Sequence, residues 1–257
     1  MLRGVDLQIP EGTAAVILGP SGTGKSVMIK HVIGVFAPDR GEIRVHDRPL
    51  STMSRAEMLN LRTDIGVMFQ DGALFSSMSI YDNVAFPLRE HTRRPEREIR
   101  AIVDEKLEMV GLVGAEGKLP GEISGGMRKR AGLARALVLD PEIVLFDEPD
   151  SGLDPVRVAY LDELVIDVQK ETGATFFIIT HNIPSVMRTA EFMGVLFRSG
   201  LVKFASKDEM ETTDNPIIRQ FLAGKAKGPI GMDEMASEDD DEMSKLDPDD
   251  DYDVMSV

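Results

Sequence analysis

"GPSGTGKS", residues 19–26, decides how the rest of this chain is read. It follows a short apolar run, "TAAVILG" (13–19), and precedes a segment whose spacing predicts a helix from about Lys25 to Phe36. The stretch fits G-x-x-x-x-G-K-[ST], and a strand before it with a helix behind it is the context that gives the pattern meaning. Gly19, Gly22 and Gly24 let the backbone curl until its N–H groups point inward, and the helix adds the positive end of its dipole. Such a loop cradles phosphate. Gly19, Pro20, Ser21, Gly22, Thr23, Gly24, Lys25 and Ser26 are therefore candidate nucleotide contacts, with Lys25 reaching the β- and γ-phosphates and Ser26 holding Mg2+.

Three further apolar runs read as buried strands: "DIGVMFQ" (64–70), "EIVLFDE" (142–148) and "ATFFIIT" (174–180). Between them lie helical patterns. "SRAEMLNLR" opens with Ser54-x-x-Glu57, a capping-box signature. Residues 95–110 carry Ile99, Ile102, Val103, Leu107 and Val110 at helical spacing, with Pro95 near the start and Gly111 past the end. Further helices are expected over 124–139, from Asp154-Pro155 to Gly173, and around 216–223. "EIRVHD" (42–47) reads as a strand and "MGVLFRSGLVKFA" (193–205) as a hairpin turning near Ser199-Gly200. Apolar strands alternating with helices predict an α/β fold, a mainly parallel sheet with helices on both faces.

In such sheets ligands bind beyond the carboxyl ends of the strands. The chemistry-bearing residues fall there. Asp147 ends its strand opposite the glycine loop and is a candidate Mg2+ ligand, directly or through water; Glu148 is placed to polarise an attacking water. Gln70 and His181 follow strands of the same sheet and can contact the γ-phosphate or the attacking water, with Gln70 also a candidate Mg2+ ligand.

Composition sets bounds. The chain has 257 residues and no cysteine, which excludes a disulfide framework and thiolate metal sites and suits a reducing compartment. It has no apolar run long enough to span a bilayer and no secretory signal pattern. Net charge is −15, of which residues 233–257 carry −11 through 12 acids and one Lys, leaving −4 for the body. That tail is expected to be disordered, and the mildly acidic body offers no field for nucleic acid.

"EISGGMRKR" (122–130) is a second helix start suited to an anion, with Ser124, Gly125 and Gly126 ahead of a basic run. One chain cannot easily bring two such starts onto one triphosphate. Two copies packed head to tail can, with Ser124, Gly125 and Gly126 of one copy facing the γ-phosphate held by Lys25 of the other. On the helix itself, Arg128, Lys129, Arg130 and Arg135 read as a solvated face or as a supplement to its phosphate-binding end.

"ISGGM" resembles the signature motif of ABC ATPases, and "DSGLDP" (150–155) resembles their D-loop. With the phosphate loop, Gln70, the Asp147-Glu148 strand end and His181, the motifs run in the family's order across residues 4–205. The resemblance implies a P-loop NTPase of the ABC ATPase type with a helical signature subdomain at about 72–140, ATP and Mg2+ as cofactors, and Asp154 among the nucleotide-site residues. Most ABC ATPases carry Gln at the position of Met127. Met there, "FQDGALFSSMSIYDNVAFPLREH" (69–91) and "NPIIRQFLAGKAKGPIG" (215–231) resemble the ATPases of the Mla and Mce lipid-transport systems.

That resemblance implies an ATP-hydrolysing subunit on the cytoplasmic face of the inner (plasma) membrane, driving an integral permease alongside Mce-type lipid-binding proteins. Ala73, Leu74, Phe75 and Met78 are the candidate permease surface, against a reading of the same four as core. Residues 206–232 are implied to form a C-terminal segment that docks on the partner ATPase. One departure stands out. Family members carry a first strand and an adenine-stacking aromatic before the phosphate loop, and here no Phe, Tyr or Trp precedes Phe36. The expectation is a missing N-terminal strand, through truncation or a late start, with an exposed sheet edge and weakened nucleotide affinity (stacking is worth roughly 1–3 kcal/mol). Two other readings compete with this one. A DNA- or ribosome-directed ABC protein would need a long coiled-coil insertion or two cassettes. An ABC subunit for another cargo or for cell division would share every catalytic residue.

Overall fold

The structure, a computed structural model, describes residues 2–231; the acidic tail expectation for 233–257 lies outside them. From the N-terminus come β1 (Ala14–Leu18), α1 (Lys25–Val32), β2 (Arg44–Val45), β3 (Arg48–Pro49), α2 (Arg55–Thr63) and β4 (Ile65–Met68). The helices α3 (Ile80–His91), α4 (Glu96–Met109) and α5 (Gly125–Leu137) follow without an intervening strand. Then come β5 (Ile143–Asp147), α6 (Pro155–Thr172), β6 (Thr175–Thr180), α7 (Ile183–Thr189), β7 (Phe192–Phe197), β8 (Gly200–Ser206), α8 (Lys207–Glu211) and α9 (Pro216–Ala223).

One sheet of six strands runs β4-β5-β6-β1-β7-β8, parallel except for β8. Strands β1 and β4 to β7 are mostly apolar because both faces are covered, whereas the edge strand β8 is half-buried along its length and carries Lys203. The two-residue period splits them between two cores. Val16, Leu18, Val144, Phe146, Phe176 and Ile178 face the core shared with α3, α4 and α5. Ala15, Ile17, Leu145, Phe177 and Ile179 face the opposite core, with Met28 and Ile29 of α1 and Leu61 of α2. Register aligns the carboxyl ends: Leu18 lies opposite Thr180, Asp147 opposite Ile179 and Met68 opposite Phe146. Every site element that follows a strand thus emerges at one edge.

Several local expectations hold. Ser54 Oγ accepts from Glu57 N at 3.3 Å while Glu57 Oε2 accepts from Ser54 N at 2.8 Å, closing the capping box. Gly173 ends α6 in the left-handed conformation. Others need correction. α1 stops at Val32 rather than Phe36, because the N–H groups of Val35 and Phe36 both turn back to Lys30 O. "EIRVHD" is a strand only over Arg44–Val45, outside the main sheet; His46 and Asp47 take φ of 50° and 57° and turn the chain back into a short hairpin.

Local spacing does not single out α3, α7 or α8 as helices. Pro87 lies inside α3, where a missing N–H normally ends a helix. Burial of Ile80, Val84, Ala85 and Leu88 outweighs that loss, and Asn83 staples the preceding loop by accepting from Phe75 N at 2.7 Å and donating to Phe75 O, Met78 O and Ser79 O.

The C-terminal segment packs on its own chain: Met210 and Ile218 belong to the sheet core. Gln220 Nε2 donates to Lys225 O and Ile230 O at 3.1 and 3.0 Å, and its Oε1 accepts from Ile230 N at 2.7 Å, folding residues 225–230 back over α9.

Candidate functional site

The loop after β1 curls through Gly22 and Gly24 at φ of 84° and 101°, conformations that cost a glycine little, and Gly24 caps α1. Gly19 has a different reason: a Cβ there would stand 2.3 Å from Leu196 O of the neighbouring strand. The Lys25 ammonium is buried and donates to Gly19 O and Pro20 O at 2.7 and 2.8 Å. It stands 3.9 Å from Glu148 Oε1.

Two candidate Mg2+ ligands meet across 121 residues of sequence: Ser26 Oγ donates to Asp147 Oδ1 at 2.8 Å. A hydroxyl and a carboxylate are the hard oxygen donors Mg2+ takes when substrate phosphates and water complete its shell. No group of three or more His, Cys, Asp or Glu side chains among the described residues forms an all-protein cage. The donor set therefore fits a metal that arrives with a phosphate ligand rather than a permanently chelated one.

Glu148 takes φ of 48°, a left-handed backbone unusual for a residue with a side chain, and its N–H is held by Ile179 O at 2.8 Å. Its carboxylate is mostly buried and stands 3.4 Å from His181 Nδ1, whose ring is half exposed. The cluster thus unites Lys25, Ser26, Asp147, Glu148 and His181. Gln70 is exposed just beyond β4, beside β5 in the sheet.

The signature residues stand on the helical layer. Ser124 caps α5 by accepting from Met127 N at 3.3 Å, and Gly125 and Gly126 form its first turn. Asp154 caps α6, accepting from Val156 N and Arg157 N at 3.1 Å each, and pairs with Arg157.

The basic run after the signature is not a freely solvated face. Arg128 donates to Ile123 O, Arg130 to Val110 O and Gly111 O, and Arg135 to Gly72 O and Ala73 O. Lys129 is 3% exposed and donates to Gln70 O at 2.7 Å and Ser151 Oγ at 3.1 Å. Burial pushes its ammonium below the usual lysine range, opposed by the carboxylates of Asp71, Asp150 and Glu148. Burial likewise pulls down the guanidinium groups of Arg130 and Arg135. These side chains tie loop carbonyls to the helix.

The sequence marks Lys129 only as one of the basic run, and Asp150 and Thr180 only as members of a D-loop stretch and a strand; their buried polar contacts come from the fold. A signal existed for Lys129: it lies four residues before Leu133 and eight before Leu137, on the apolar stripe of α5. Asp150 is buried and accepts from Thr180 Oγ1 at 2.8 Å.

A family model described as ABC transporter matches residues 2–151. The chain belongs to the ABC transporter ATPase family. The fold of this ABC ATPase is the one expected from the resemblance. It is 57% identical over 234 residues to "Probable ribonucleotide transport ATP-binding protein mkl" of Mycobacterium leprae, covering 91% of this chain and 67% of that protein. The same identity holds for the Mycobacterium tuberculosis protein of that name, of which 65% is covered. The cassette thus spans about two thirds of the length of these mycobacterial relatives. It is 39% identical over 226 residues to "Intermembrane phospholipid transport system ATP-binding protein MlaF" of Escherichia coli, covering 88% of this chain and 84% of that one.

Among solved structures, cbiO1 from Clostridium perfringens, part of the ABC transporter complex cbiONQ, superposes with TM-score 0.76 at 32% identity, covering 85% of this chain and 86% of that one. The ATP-binding cassette MJ0796, in a dimeric post-hydrolysis state bound to ADP and Pi, gives TM-score 0.73 at 30% identity, covering 80% and 90%. No helix of the described residues in this ABC ATPase is long and apolar enough to cross a membrane.

Proposed function

We propose that this chain is the ATP-hydrolysing subunit of an ABC lipid transporter of the Mce/Mla type. The observation that carries the catalytic part is the meeting of Ser26, Asp147, Glu148, Lys25 and His181 at one sheet edge. Lys25 turns from the loop carbonyls of Gly19 and Pro20 to the β- and γ-phosphates, with the loop N–H groups and the start of α1. Ser26 and Asp147 hold Mg2+, with Gln70 reaching the same region. That ion, when bound, neutralises charge on the phosphates. Glu148 orients and deprotonates the attacking water, and its strained backbone aims the carboxylate. His181 donates to the γ-phosphate beside it.

Two copies assemble head to tail, so that Ser124, Gly125 and Gly126 of one complete the site of the other, with Asp154 at the same seam. A dimeric cassette among the similar structures supports this arrangement. Ala73 and Phe75 are exposed and Leu74 and Met78 half buried, which supports a permease-docking surface over the core reading. Arg135 anchors that surface through the carbonyls of Gly72 and Ala73. The subunit works at the cytoplasmic face of the plasma membrane, with a permease and Mce-type lipid-binding proteins as partners and no nucleic acid. The C-terminal segment meets the second copy.

The test has two arms. Glu148→Gln is expected to bind ATP, remain dimeric on size-exclusion chromatography and turn over at least a hundredfold more slowly; a monomer, or normal turnover, refutes the composite site. Reconstitution with its permease in vesicles is expected to move fluorescent phospholipid in an ATP-dependent way. Movement of ribonucleotide instead would favour the reading in the mycobacterial relatives' name.

A further inference from the structure

We infer that Lys129, Asp150 and Thr180 are positioning residues, forming a buried polar relay that sets the catalytic geometry from the position of the signature helix. The inference rests on the roles proposed above for Glu148 and His181.

The geometry is continuous. Lys129 lies one helical turn into α5, about 6 Å along the axis from Gly125. A helix transmits displacement rigidly over that distance, so a shift of its N-terminus moves the Lys129 ammonium. That ammonium holds two loops at once: the backbone carbonyl of Gln70 at 2.7 Å and the hydroxyl of Ser151 at 3.1 Å. Ser151 closes the turn on the catalytic side, its N–H donating to Glu148 O at 3.2 Å. The next residue back, Asp150, accepts from Thr180 Oγ1 at 2.8 Å, and Thr180 Oγ1 in turn accepts from Asn182 N at 3.0 Å. His181 is therefore pinned from both sides, by the residue before it and the residue after it.

Burial gives the relay its stiffness. Lys129, Asp150 and Thr180 are 3%, 4% and 1% exposed. In a low-dielectric interior such bonds strengthen one another, and breaking one strands a charge or a polar group. Water cannot replace the partner, so the loops must follow the helix. Occupation of the signature end by phosphate from the second copy thereby fixes Gln70, Glu148 and His181 together. In this account the relay governs turnover and leaves the binding of nucleotide to a chain's own phosphate loop unchanged.

The experiment uses the full chain with ATP and Mg2+, measuring kcat and KM, the thermal midpoint and the affinity for a fluorescent ATP analogue. Thr180→Val keeps the shape without the hydroxyl, and Lys129→Met keeps the length without the charge. Each is expected to lower kcat about tenfold or more, with KM and analogue affinity within about twofold. Thr180→Ser, which keeps the hydroxyl, should restore kcat to within about twofold of the parent. Lys129→Met combined with Thr180→Val should lose little beyond the worse single change, as residues acting in one relay do. Full kcat per folded molecule in Thr180→Val, failure of Thr180→Ser to rescue, or losses that multiply to about a hundredfold in the double variant would overturn the relay. Glu148→Gln separates the two levels. If it is inactive while Thr180→Val is fully active, the relay alone fails. If it hydrolyses like the parent, the role of Glu148 fails and the relay falls with it.

Discussion

Ser26 Oγ and Asp147 Oδ1 lie 2.8 Å apart although 121 residues separate them in the chain. One opens α1 behind the glycine loop and the other closes β5, and the parallel register of β1, β6 and β5 brings them together. A hydroxyl donating to a carboxylate at this distance defines a pair of oxygens that a small hard cation can share. Asp147→Asn keeps the shape and removes the charge. It is expected to raise the Mg2+ concentration for half-maximal ATP hydrolysis by about tenfold or more, read by Mg2+ titration of the rate. An unchanged half-saturation point would remove Asp147 from the metal site.

Glu148 trades stability for function. Its left-handed backbone costs roughly 1–2 kcal/mol for a residue with a Cβ. Glycine relieves that strain but carries more unfolded-state entropy. Glu148→Gly is expected to raise the unfolding free energy by up to about 1 kcal/mol in urea denaturation while abolishing turnover. A less stable variant would show that this backbone is not strained.

Gly132 of α5 touches the chain just beyond β4. A Cβ on Gly132 would stand 2.8 Å from Gly72 Cα and 3.2 Å from Gly72 O, with backbone on both sides and no flexible side chain to yield. Gly132→Ala is expected to destabilise by about 1–3 kcal/mol, and to lower turnover because the displaced segment carries Gln70. Thermal unfolding and steady-state kinetics check both.

Glu57 makes one part of the fold pH-dependent. The Ser54 N–H, the Ser54 hydroxyl and Arg48 hold its carboxyl down at about 2, against an ordinary 4.5. A depressed acid pKa contributes stability that is complete above the unfolded value and lost as pH falls toward the folded one. The difference in thermal midpoint between the parent and Glu57→Gln should therefore be constant above pH 5 and shrink between about 4.5 and 2. A difference that is flat across that window would contradict the capping box.

The elements legible in the sequence are those whose cause is local. The glycine loop is recognisable because each residue's role belongs to the eight-residue stretch itself, and the capping box because Ser54 and Glu57 meet within one turn. The helix α3 was hidden because Pro87 breaks the local rule, and only contact with α4 and α5 repairs it. The boundary of α1 was misplaced because Gly34 and the turn after it compete with an apolar pattern that runs on to Phe36.

The sequence by itself determined the strand-and-helix alternation, the phosphate loop and the acids at a strand end, since periodicity and spacing encode them directly. Only the tertiary structure decided what the basic run on α5 does. Lys129 reaches partners 59 and 22 residues away, and Arg135 partners 62 and 63 away. Helical spacing tells which way a side chain points, but not which backbone carbonyls the fold will leave there unpaired. A buried cation is stable only where such acceptors exist, and the sheet and its crossovers put them in place.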